Sequence, residues 1–382
     1  MRIYLDNAAT TALHPEVIQT MTTVLRDVYG NPSSIHSEGR NARATIERAR
    51  KTVANYIGAS IGEVFFTSGG TESNNMALQC AVRDLGVQHI ITTPLEHHCV
   101  LHTLDAIEQS GKAKVSYLPV DEKGRINLAD LQNLLQNSQE KTLVSLMHSN
   151  NEIGTMIDLA AIAEVCEAYD ALFHTDTVQT IGYFPIDLSK IRINFLSGSA
   201  HKFHGPKGIG FVYINNDNIV RPYINGGSQE RNMRAGTENI HGIAGLAKAL
   251  ELACEQMDQH RTYISQLRHY LKDQLTNHFK DIQFNGDHDG LFHYKVLSVS
   301  FPPSPKSDLL LLNLDIAGIS ASGGSACSSG AEQGSHVLSG VQADAQRKTI
   351  RFSFSSDNTM AEIDQLIEKL KHIIPVREKV SS

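Results

Sequence analysis

The strongest constraint on the fold is a regular alternation of strand-like and helix-like segments between residues 64 and 214. Short apolar runs alternate with longer stretches in which apolar residues recur with helical spacing. This pattern predicts an α/β fold with a mostly parallel, seven-stranded sheet covered by helices, because parallel neighbours are joined by helical crossovers. The strand candidates are 64–66, 89–92, 115–118, 143–147, 171–174, 193–196 and 209–214, and the helix candidates are 71–85, 98–110, 127–137 and 158–169.

The C-terminal third predicts a second, smaller α+β unit. A long helical stretch at 242–280, expected to be bent or broken, could bridge the two parts. At 382 residues the chain exceeds what one ordinary hydrophobic core supports, which favours two domains. We predict a large domain of residues 15–255 and a small domain made of 1–14 and 256–382. The elements expected in the small domain are 296–301, 307–315, 349–354 and 359–373.

Composition narrows the classes of function. There are 34 Lys and Arg against 41 Asp and Glu, a net charge of −7, which argues against a nucleic-acid or anionic-membrane partner. No apolar run is long enough to span a bilayer and the first residues lack the apolar core of a signal peptide, so we expect cytoplasmic residence. The five cysteines form no C-x-x-C pair, which argues against a zinc site or disulfides; Cys80, Cys166 and Cys254 are expected to be core residues.

Lys202 lies on a connection rich in Ser, Gly and His between two strand candidates, 193–196 and 209–214. Its neighbours His201 and His204 make this an unusual place for a solubilising charge. Partial desolvation beside cationic groups lowers the pKa of a lysine amine and yields the free amine that forms a Schiff base. A lysine on a solvated turn is the alternative that this stretch alone leaves open.

Asp176 follows the strand candidate 171–174 and gives Lys202 a chemical partner. A site for pyridoxal 5′-phosphate (PLP) needs a lysine for the aldehyde and a carboxylate that keeps the ring nitrogen protonated. The ends of successive strands form the crevice in which open α/β folds bind ligands. A lone Asp after a strand is more often a helix cap, so the pair is stronger evidence than either residue.

Residues 67–73, Thr-Ser-Gly-Gly-Thr-Glu-Ser, predict a phosphate-binding turn between a strand and a helix. Glycines let backbone N–H groups turn toward an anion, and the helix N-terminus adds partial positive charge. The hydroxyls of Ser68 and Thr71 could complete this cup for the phosphate of PLP. Thr71 could equally be a plain N-cap.

Other polar residues also follow strand candidates. His97 could stack on the PLP ring or carry a proton near neutral pH, although an ordinary loop histidine is the alternative. Amides within residues 148–154 could bind the PLP hydroxyl or a substrate carboxylate. Gln179 lies three residues past Asp176 and could donate to the ring oxygen.

Arginines supply further candidates for anion binding. The glycine-rich polar loop 225–237 carries two of them and suits an anion. Arg351 lies inside an apolar run, where its planar fork suits the carboxylate of an amino acid. A structural ion pair at Arg351 is an equally open alternative.

Cys327 differs from the other cysteines because the surrounding residues 320–335 are almost all Gly, Ser and Ala. Such a stretch buries little surface and is expected to be mobile, with an exposed thiol. A thiol on a flexible arm suits a nucleophile that attacks in one place and delivers in another. An accidental loop cysteine is the alternative.

Taken together, these motifs resemble the cysteine desulfurases, the NifS/IscS-like branch of the fold-type I PLP enzymes in aminotransferase class V. The resemblance covers essentially the whole chain, and the long Gly/Ser loop is similar to the NifS/IscS group rather than the SufS-like group. The chain departs from the family pattern at Thr175 and Thr177, on either side of Asp176. It also departs at the terminal residues 376–382, and this second departure leaves the identity of the sulfur acceptor open. The motifs that agree in order and spacing are 67–73, 150–154, 201–208, 234–237 and 324–327.

The resemblance implies a homodimer that converts L-cysteine to L-alanine and passes sulfur, held as an enzyme persulfide, to an acceptor such as an iron–sulfur scaffold or a sulfur-carrier protein. It implies PLP as the cofactor, with Lys202 as its lysine, Asp176 as the partner of the ring nitrogen and His97 as the ring-stacking acid/base. Thr237 is implied as a contact lent by the neighbouring subunit. The other implied cofactor contacts are Gly70, Thr71, Asn151, Gln179, Ser199 and His201.

For the substrate, the resemblance makes Arg351 the carboxylate clamp, assisted by Asn151, and Cys327 the sulfur-accepting nucleophile. Two rival functions stay open. Another PLP enzyme of the same fold, such as a selenocysteine lyase or an aminotransferase, would share Lys202 and Asp176 without needing Cys327. A non-catalytic sulfur carrier or scaffold that kept the fold would not need Lys202.

Overall fold

The computed structural model describes residues 2–304, 307–323 and 334–377. The first part of the chain follows the predicted alternation, with boundaries shifted by a few residues. Its elements are β1 (Ile3–Tyr4), α1 (Pro15–Asp27), α2 (Ser37–Ile57), β2 (Val64–Thr67), α3 (Gly70–Asp84), β3 (His89–Thr92), α4 (His98–Gln109), β4 (Lys114–Tyr117), α5 (Leu128–Gln136), β5 (Thr142–Ser145), α6 (Leu159–Ala168), β6 (Leu172–Asp176), β7 (Phe195–Ser199) and β8 (Gly210–Ile214).

The seven strands β2 to β8 form one sheet in the order β2-β8-β7-β6-β5-β3-β4. Neighbours from β7 to β4 run parallel, whereas β8 runs antiparallel to both β2 and β7. The central strands β5 and β7 are buried along their whole length, as expected of a sheet covered by helices on both faces. The predicted fold class, a mostly parallel seven-stranded sheet with helices, is confirmed.

The rest of the chain adds a three-stranded antiparallel sheet, in the order Lys348–Ser353, Val296–Phe301, Gln283–Asn285, and a two-stranded parallel pairing of β1 with Ile319–Ser320. The helical stretch expected at 242–280 is broken as predicted, because Gln256 has the non-helical angles φ −101° and ψ 7°. The elements are α7 (Ile240–Glu255), α8 (Met257–His278), β9 (Gln283–Asn285), β10 (Val296–Phe301), α9 (Leu310–Ile316), β11 (Ile319–Ser320), α10 (His336–Gly340), β12 (Lys348–Ser353) and α11 (Met360–Lys371).

One connected apolar core joins the two predicted domains. Phe173 and Leu196 of the large sheet belong to the same cluster of buried residues as Leu297 and Phe352 of the three-stranded sheet. The hydrophobic contribution to stability is therefore shared between the two parts of the chain. The division near residue 255 stays a prediction.

The N-terminal segment connects the small sheets to the turn that carries Lys202. The N–H of Asn7 donates to the carbonyl of Ser353, at the end of β12. Further along, the N–H of Thr11 donates to the carbonyl of His201 at 2.9 Å. This path brings the backbone between Asn7 and Thr11 beside the carboxyl ends of β6 and β7.

Two structural features bear on the expectations from composition. None of the helices in the described ranges combines the length and the apolar character that crossing a membrane requires. Cys80 and Cys166 are buried in apolar clusters as expected, whereas Cys254 is only half-buried. These three cysteines and Cys99 are free thiols.

Candidate active site

A cavity of about 400 Å³ lies at the carboxyl ends of β6 and β7. The N-terminal segment contributes Ala8 and Ala9 to its wall. Ten of the twelve residues that the resemblance assigns to the site line this one cavity, although they come from six separate stretches of the chain. They are Gly70, Thr71, His97, Asn151, Asp176, Gln179, Ser199, His201, Lys202 and Arg351.

Lys202 ends a single 3-10 turn that follows β7. Its amine donates to the carbonyls of Ala8 at 2.7 Å and Ala9 at 2.8 Å. Its own carbonyl accepts from the Tyr183 hydroxyl at 2.9 Å and from the Lys295 amine at 3.4 Å. Lys202 is therefore held at both its backbone and its amine in a cavity wall, and the alternative of a lysine on a solvated turn is wrong.

Asp176 is the last residue of β6, the parallel neighbour of β7, so it lines the same cavity as Lys202. Asn74 Nδ2 donates to Asp176 Oδ2 at 2.6 Å, and the N–H of Val178 donates to Oδ1 at 2.9 Å. Asn74 is itself held by buried His174, whose Nε2 lies 3.1 Å from Asn74 Oδ1. Burial lowers the pKa of His174 to about 3, so its ring is neutral and donates through Nε2.

His97 is the N-cap of α4 and also lines the cavity. Its Nδ1 accepts the N–H of Cys99 at 3.1 Å, so the proton of the neutral ring lies on Nε2. Burial lowers the pKa of His97; Asp176 opposes this shift and Lys202 adds to it. The imidazole is therefore neutral at physiological pH. His97 has the structural role of a helix cap and lines the cavity as well, so the ordinary structural histidine and the site histidine are not exclusive alternatives.

The turn before α3 allows a close approach to the backbone. Gly69 is the N-cap with φ 150°, a conformation that residues with a side chain rarely adopt. A Cβ at Gly70 would lie 2.6 Å from Cγ2 of Val178, so glycine alone fits without movement. Thr71 lies inside the first turn, and the alternative that Thr71 caps the helix is wrong. The unpaired N–H groups and the dipole of this helix favour an anion here.

Ser199, His201 and Gln179 extend the wall beside Lys202. Ser199 is the buried last residue of β7. His201 Nδ1 lies 3.2 Å from the Thr10 hydroxyl, and burial lowers the pKa of His201 to about 4. Gln179 donates to the carbonyl of Ala8 at 3.0 Å, but its buried Oε1 has no partner among the described residues.

Arg351 in β12 lines the cavity although only 2% of its side chain is exposed. Its Nη2 donates to Asp6 Oδ1 at 2.8 Å, and its Nη1 donates to the carbonyl of Asn151 at 2.8 Å. The structural ion pair that the sequence left open is therefore present. Because Arg351 also faces the cavity, the ion pair and a role in binding a carboxylate are compatible.

The arginines of loop 225–237 are engaged elsewhere. Arg234 pairs with Glu72 at 2.8 Å, and Arg231 pairs with Glu47 at 3.2 Å. Within the single chain, both guanidinium groups thus meet carboxylates rather than the cavity of Lys202. The expectation that this loop supplies anion-binding arginines finds no support in these contacts.

Two predicted residues that the structure describes, Ser68 and Thr237, do not line this cavity. Thr237 is exposed and lines a separate cavity beside Ser68 and Glu230. Its contact with a cofactor across a subunit interface stays a prediction. Cys327 lies outside the described residues, so its role as nucleophile also stays a prediction.

The structure adds cavity residues that sequence reasoning missed. Asn74 carried a usable signal, because an amide on the buried face of an amphipathic helix needs a partner. Ala8 and Ala9 carried none, since they act through backbone carbonyls. Glu152 and His336 also line the cavity, and burial raises the pKa of Glu152.

The residues present fit PLP on the chemistry of its three polar parts. An aldehyde, a ring nitrogen and a phosphate call for an amine, a carboxylate and a set of N–H donors. Lys202, Asp176 and the N-terminus of α3 provide these three within one cavity. Gln179, in the wall of this cavity, has a buried Oε1 without a partner among the described residues, and such an acceptor calls for a donor on a polar ligand.

Comparison with known proteins finds relatives along the whole chain. A family model described as aminotransferase class-V matches residues 3–366. A protein named cysteine desulfurase IscS from Dictyoglomus turgidum is 41% identical over 388 residues, covering 99% of this chain and 97% of that protein. A putative cysteine desulfurase IscS 1 from Bacillus subtilis is 40% identical over 100% of both chains. A solved structure described as a NifS-like protein matches with a TM-score of 0.90 and 37% identity, covering 98% of this chain and 99% of that one.

Proposed function

This chain belongs to the aminotransferase class V family and, within it, to the cysteine desulfurases, and on that basis we propose that it transfers sulfur from L-cysteine to Cys327 with the help of PLP held by Lys202. L-alanine is the other product, and an acceptor takes the sulfur. The observation that carries this proposal is the position of Lys202 and Asp176. They follow two adjacent parallel strands and face one cavity.

When bound, PLP supplies an electron-accepting ring that stabilises negative charge on the Cα of an amino acid. The amine of Lys202 would hold the aldehyde carbon. The carboxylate of Asp176 would keep the ring nitrogen protonated, and its two oxygens are already fixed by Asn74 and the N–H of Val178. A carboxylate that cannot rotate presents its charge in one direction, which is what a permanent ring partner requires.

The other cofactor contacts divide between the phosphate and the ring. The first N–H groups of α3, at Gly70 and Thr71, would bind the phosphate together with the side chains of Ser199 and His201. The pKa of His201 is lowered to about 4, so it would act as a neutral donor rather than as a cation. On the ring side, we assign contacts to the side chains of Gln179 and Asn151.

Protons would be moved by His97 and by the amine of Lys202. The ring of His97 is neutral and carries its proton on Nε2, because Nδ1 accepts the N–H of Cys99. A neutral imidazole near the reacting centre can give or take a proton at physiological pH. We assign His97 both this role and the stacking contact with the ring.

Arg351 would bind the carboxylate of L-cysteine. Among the described residues, Asp6 and Asn151 use two of its five N–H groups, which leaves the rest of the fork for an anion. Burial excludes water around the guanidinium, which strengthens its interaction with a carboxylate. This contact would orient the substrate before any bond changes.

The sulfur transfer itself is assigned to the thiolate of Cys327. It attacks the sulfur of the substrate, so that an S–S bond forms while the C–S bond breaks. The electron pair of the broken bond stays with the carbon, which is later protonated to give the methyl group of alanine. Cys327 follows Gly323 by four residues, a tether of at most about 14 Å. Ser322, just before this tether, pairs through its backbone with Arg351.

The oligomeric state, the sulfur acceptor and the location in the cell complete the proposal. We propose a homodimer in which Thr237 of one subunit reaches the phosphate held by the other, since Thr237 is exposed and lies away from the cavity of its own chain. The sulfur acceptor is proposed to be a protein, either an iron–sulfur scaffold or a sulfur carrier. Cytoplasmic residence is part of the same proposal and agrees with the free thiols of the described cysteines.

The test is to incubate the PLP-loaded protein with L-cysteine and a thiol reductant, and to measure alanine and sulfide. We expect equal amounts of both in the absence of any 2-oxo acid. Lys202→Ala should lose both products and the visible absorbance of bound PLP. An aminotransferase would need a 2-oxo acid, a selenocysteine lyase would act on selenocysteine alone, and a non-catalytic carrier would form neither product.

A further inference from the structure

The cation proposed to bind the substrate already has a carboxylate partner inside the protein. Arg351 Nη2 and Asp6 Oδ1 are 2.8 Å apart, and the exposed fractions of the two side chains are 2% and 18%. A buried guanidinium without a counter-charge is strongly destabilising, so a partner is needed when no substrate is present. Asp6 meets this need and leaves the pair with no net charge.

Asp6 cannot readily move away when a substrate arrives. Its Oδ1 accepts a second hydrogen bond, from the Ser322 hydroxyl at 2.8 Å. Its backbone bridges to Ser353 of β12, the strand that also carries Arg351, and its carbonyl accepts the N–H of Ala9. The carboxylate is therefore fixed to the same strand as the cation it faces.

We propose that Asp6 competes with the substrate and the product for Arg351. The carboxylate of Asp6 lowers the affinity of the site for the carboxylates of L-cysteine and L-alanine. This inference rests on the proposed role of Arg351. A substrate carboxylate on the same guanidinium would lie close to Asp6 and be repelled by it, and a charge within roughly 4–6 Å shifts an ionic equilibrium by about one to three orders of magnitude. Asp6 is thus a positioning and affinity-setting residue that need not touch the reacting atoms.

Such weakening has a use in this reaction. L-cysteine and L-alanine carry the same carboxylate, so a strong clamp would hold substrate and product alike. A clamp that binds substrate, transition state and product equally adds nothing to the rate of the chemical step. A carboxylate fixed beside the clamp lowers both affinities and favours release of alanine.

Asp6→Asn separates the charge of Asp6 from its geometry. Asparagine keeps an Oδ1 that accepts from Arg351 and from Ser322, and it removes only the negative charge. Asp6→Ser is a second neutral variant, so the outcome does not depend on one protein folding. Asp6→Glu restores the charge. Asp281→Asn is the matched control, because Asp281 pairs with Arg347 at 2.7 Å and neither residue lines the cavity.

The measurement is the dissociation constant of each PLP-loaded variant for L-alanine and for ethylamine, which is alanine without its carboxylate, from the change in cofactor absorbance. We expect Asp6→Asn and Asp6→Ser to bind L-alanine at least about tenfold more tightly, with ethylamine unchanged. Asp6→Glu should return toward the wild-type value and Asp281→Asn should match it. KM for L-cysteine should fall in parallel.

Arg351→Gln distinguishes the failure of this inference from the failure of the clamp. If Arg351→Gln weakens the binding of L-alanine but not that of ethylamine, Arg351 binds the carboxylate as proposed. Unchanged or weaker L-alanine binding in Asp6→Asn and Asp6→Ser would then reduce Asp6 to a structural ion pair and overturn the inference. If Arg351→Gln binds L-alanine as the wild type does, the proposed clamp itself fails, and the role of Asp6 fails with it.

Discussion

Asn74 donates its side-chain amide to Asp176 at 2.6 Å, from the buried face of α3 to the end of β6. Behind it, the Ser145 hydroxyl lies 2.8 Å from His174 Nδ1, and His174 Nε2 lies 3.1 Å from Asn74 Oδ1. The donors run in one direction, because a carboxylate only accepts. The orientation of the carboxylate that would face the cofactor ring is therefore set by residues behind the cavity wall.

The first prediction concerns this chain of hydrogen bonds. Asn74→Ala removes one of the two donors that fix Asp176 and should weaken PLP binding about tenfold or more, since a hydrogen bond to a charged group contributes roughly 1.5–3 kcal/mol. The measurement is an absorbance titration of the cofactor-free protein with PLP. Gln79→Ala, on the exposed side of the same helix, should bind PLP like the wild type. Equal affinity in Asn74→Ala would contradict this account.

A second prediction concerns the pH dependence of His97. Because burial lowers its pKa, the neutral ring is the working form, and activity should be lost only as the pH falls below the ordinary histidine value of 6.5. His97→Gln should lower kcat by about 10²–10⁴-fold and remove the acidic limb of the pH profile. Profiles of kcat for both proteins between pH 5 and pH 9 make the comparison. If the acidic limb persists unchanged in His97→Gln, the limb reports the titration of another group.

The third prediction concerns the space at Gly70. Gly70→Ala would bring a Cβ to 2.6 Å from Cγ2 of Val178, so the turn that is proposed to bind the phosphate must shift. We expect weaker PLP binding in Gly70→Ala and substantial recovery in the double variant with Val178→Ala, which removes the clashing methyl groups. The same absorbance titration measures both. Failure of the second substitution to recover any affinity would show that the clash is not the cause.

A fourth prediction concerns stability and buried Lys295. Its amine lies 3.9 Å from the centre of the Tyr183 ring and forms no ion pair with any described carboxylate. Burial, with Lys202 and Arg351 adding to it, lowers the pKa of Lys295 well below its usual 10.5. Between the lowered pKa of the folded state and 10.5, the unfolded chain binds a proton that the folded chain does not. In that window this residue makes stability rise with pH, and the stability is lost as the pH falls.

Lys295→Met should therefore raise the free energy of unfolding at neutral pH. It should also reduce the slope of stability against pH by up to about 1.4 kcal/mol per pH unit. Urea unfolding between pH 6 and pH 9 gives both quantities, and Lys51→Met, at an exposed position on α2, is the control. A Lys295→Met protein that is less stable and has the wild-type slope would mean that the amine is charged in the folded state.

Sequence patterns were sufficient for the fold class and the family, and both predictions are confirmed. The alternation from β2 to β8 can be recognised in the sequence because strands that are buried on both faces appear as short apolar runs between amphipathic helices. Lys202 and Asp176 stand out because ionisable residues at the ends of such strands are costly without a function. A bend or break within the helical stretch 242–280 was likewise predicted, and the structure places the break at Gln256.

Long-range pairings were beyond the reach of local patterns. Asn74 and Asp176 are 102 residues apart, and Asp6 and Arg351 are 345 residues apart. The sequence therefore left a clamp and an ion pair as alternatives at Arg351, whereas in the structure Arg351 forms the ion pair with Asp6 and also lines the cavity. Ala8 acts through a backbone carbonyl, which every residue type possesses, so no sequence signal could have marked it.

The most direct test of the central claim is alanine and sulfide release from L-cysteine by the wild type beside Cys327→Ala, with Cys254→Ala as a half-buried cysteine control. All three proteins should bind PLP with the same visible absorbance. We predict equimolar products from the wild type and Cys254→Ala, and a loss of at least about a hundredfold in Cys327→Ala, as expected when a nucleophile is removed. Full activity in Cys327→Ala would contradict sulfur transfer through this residue.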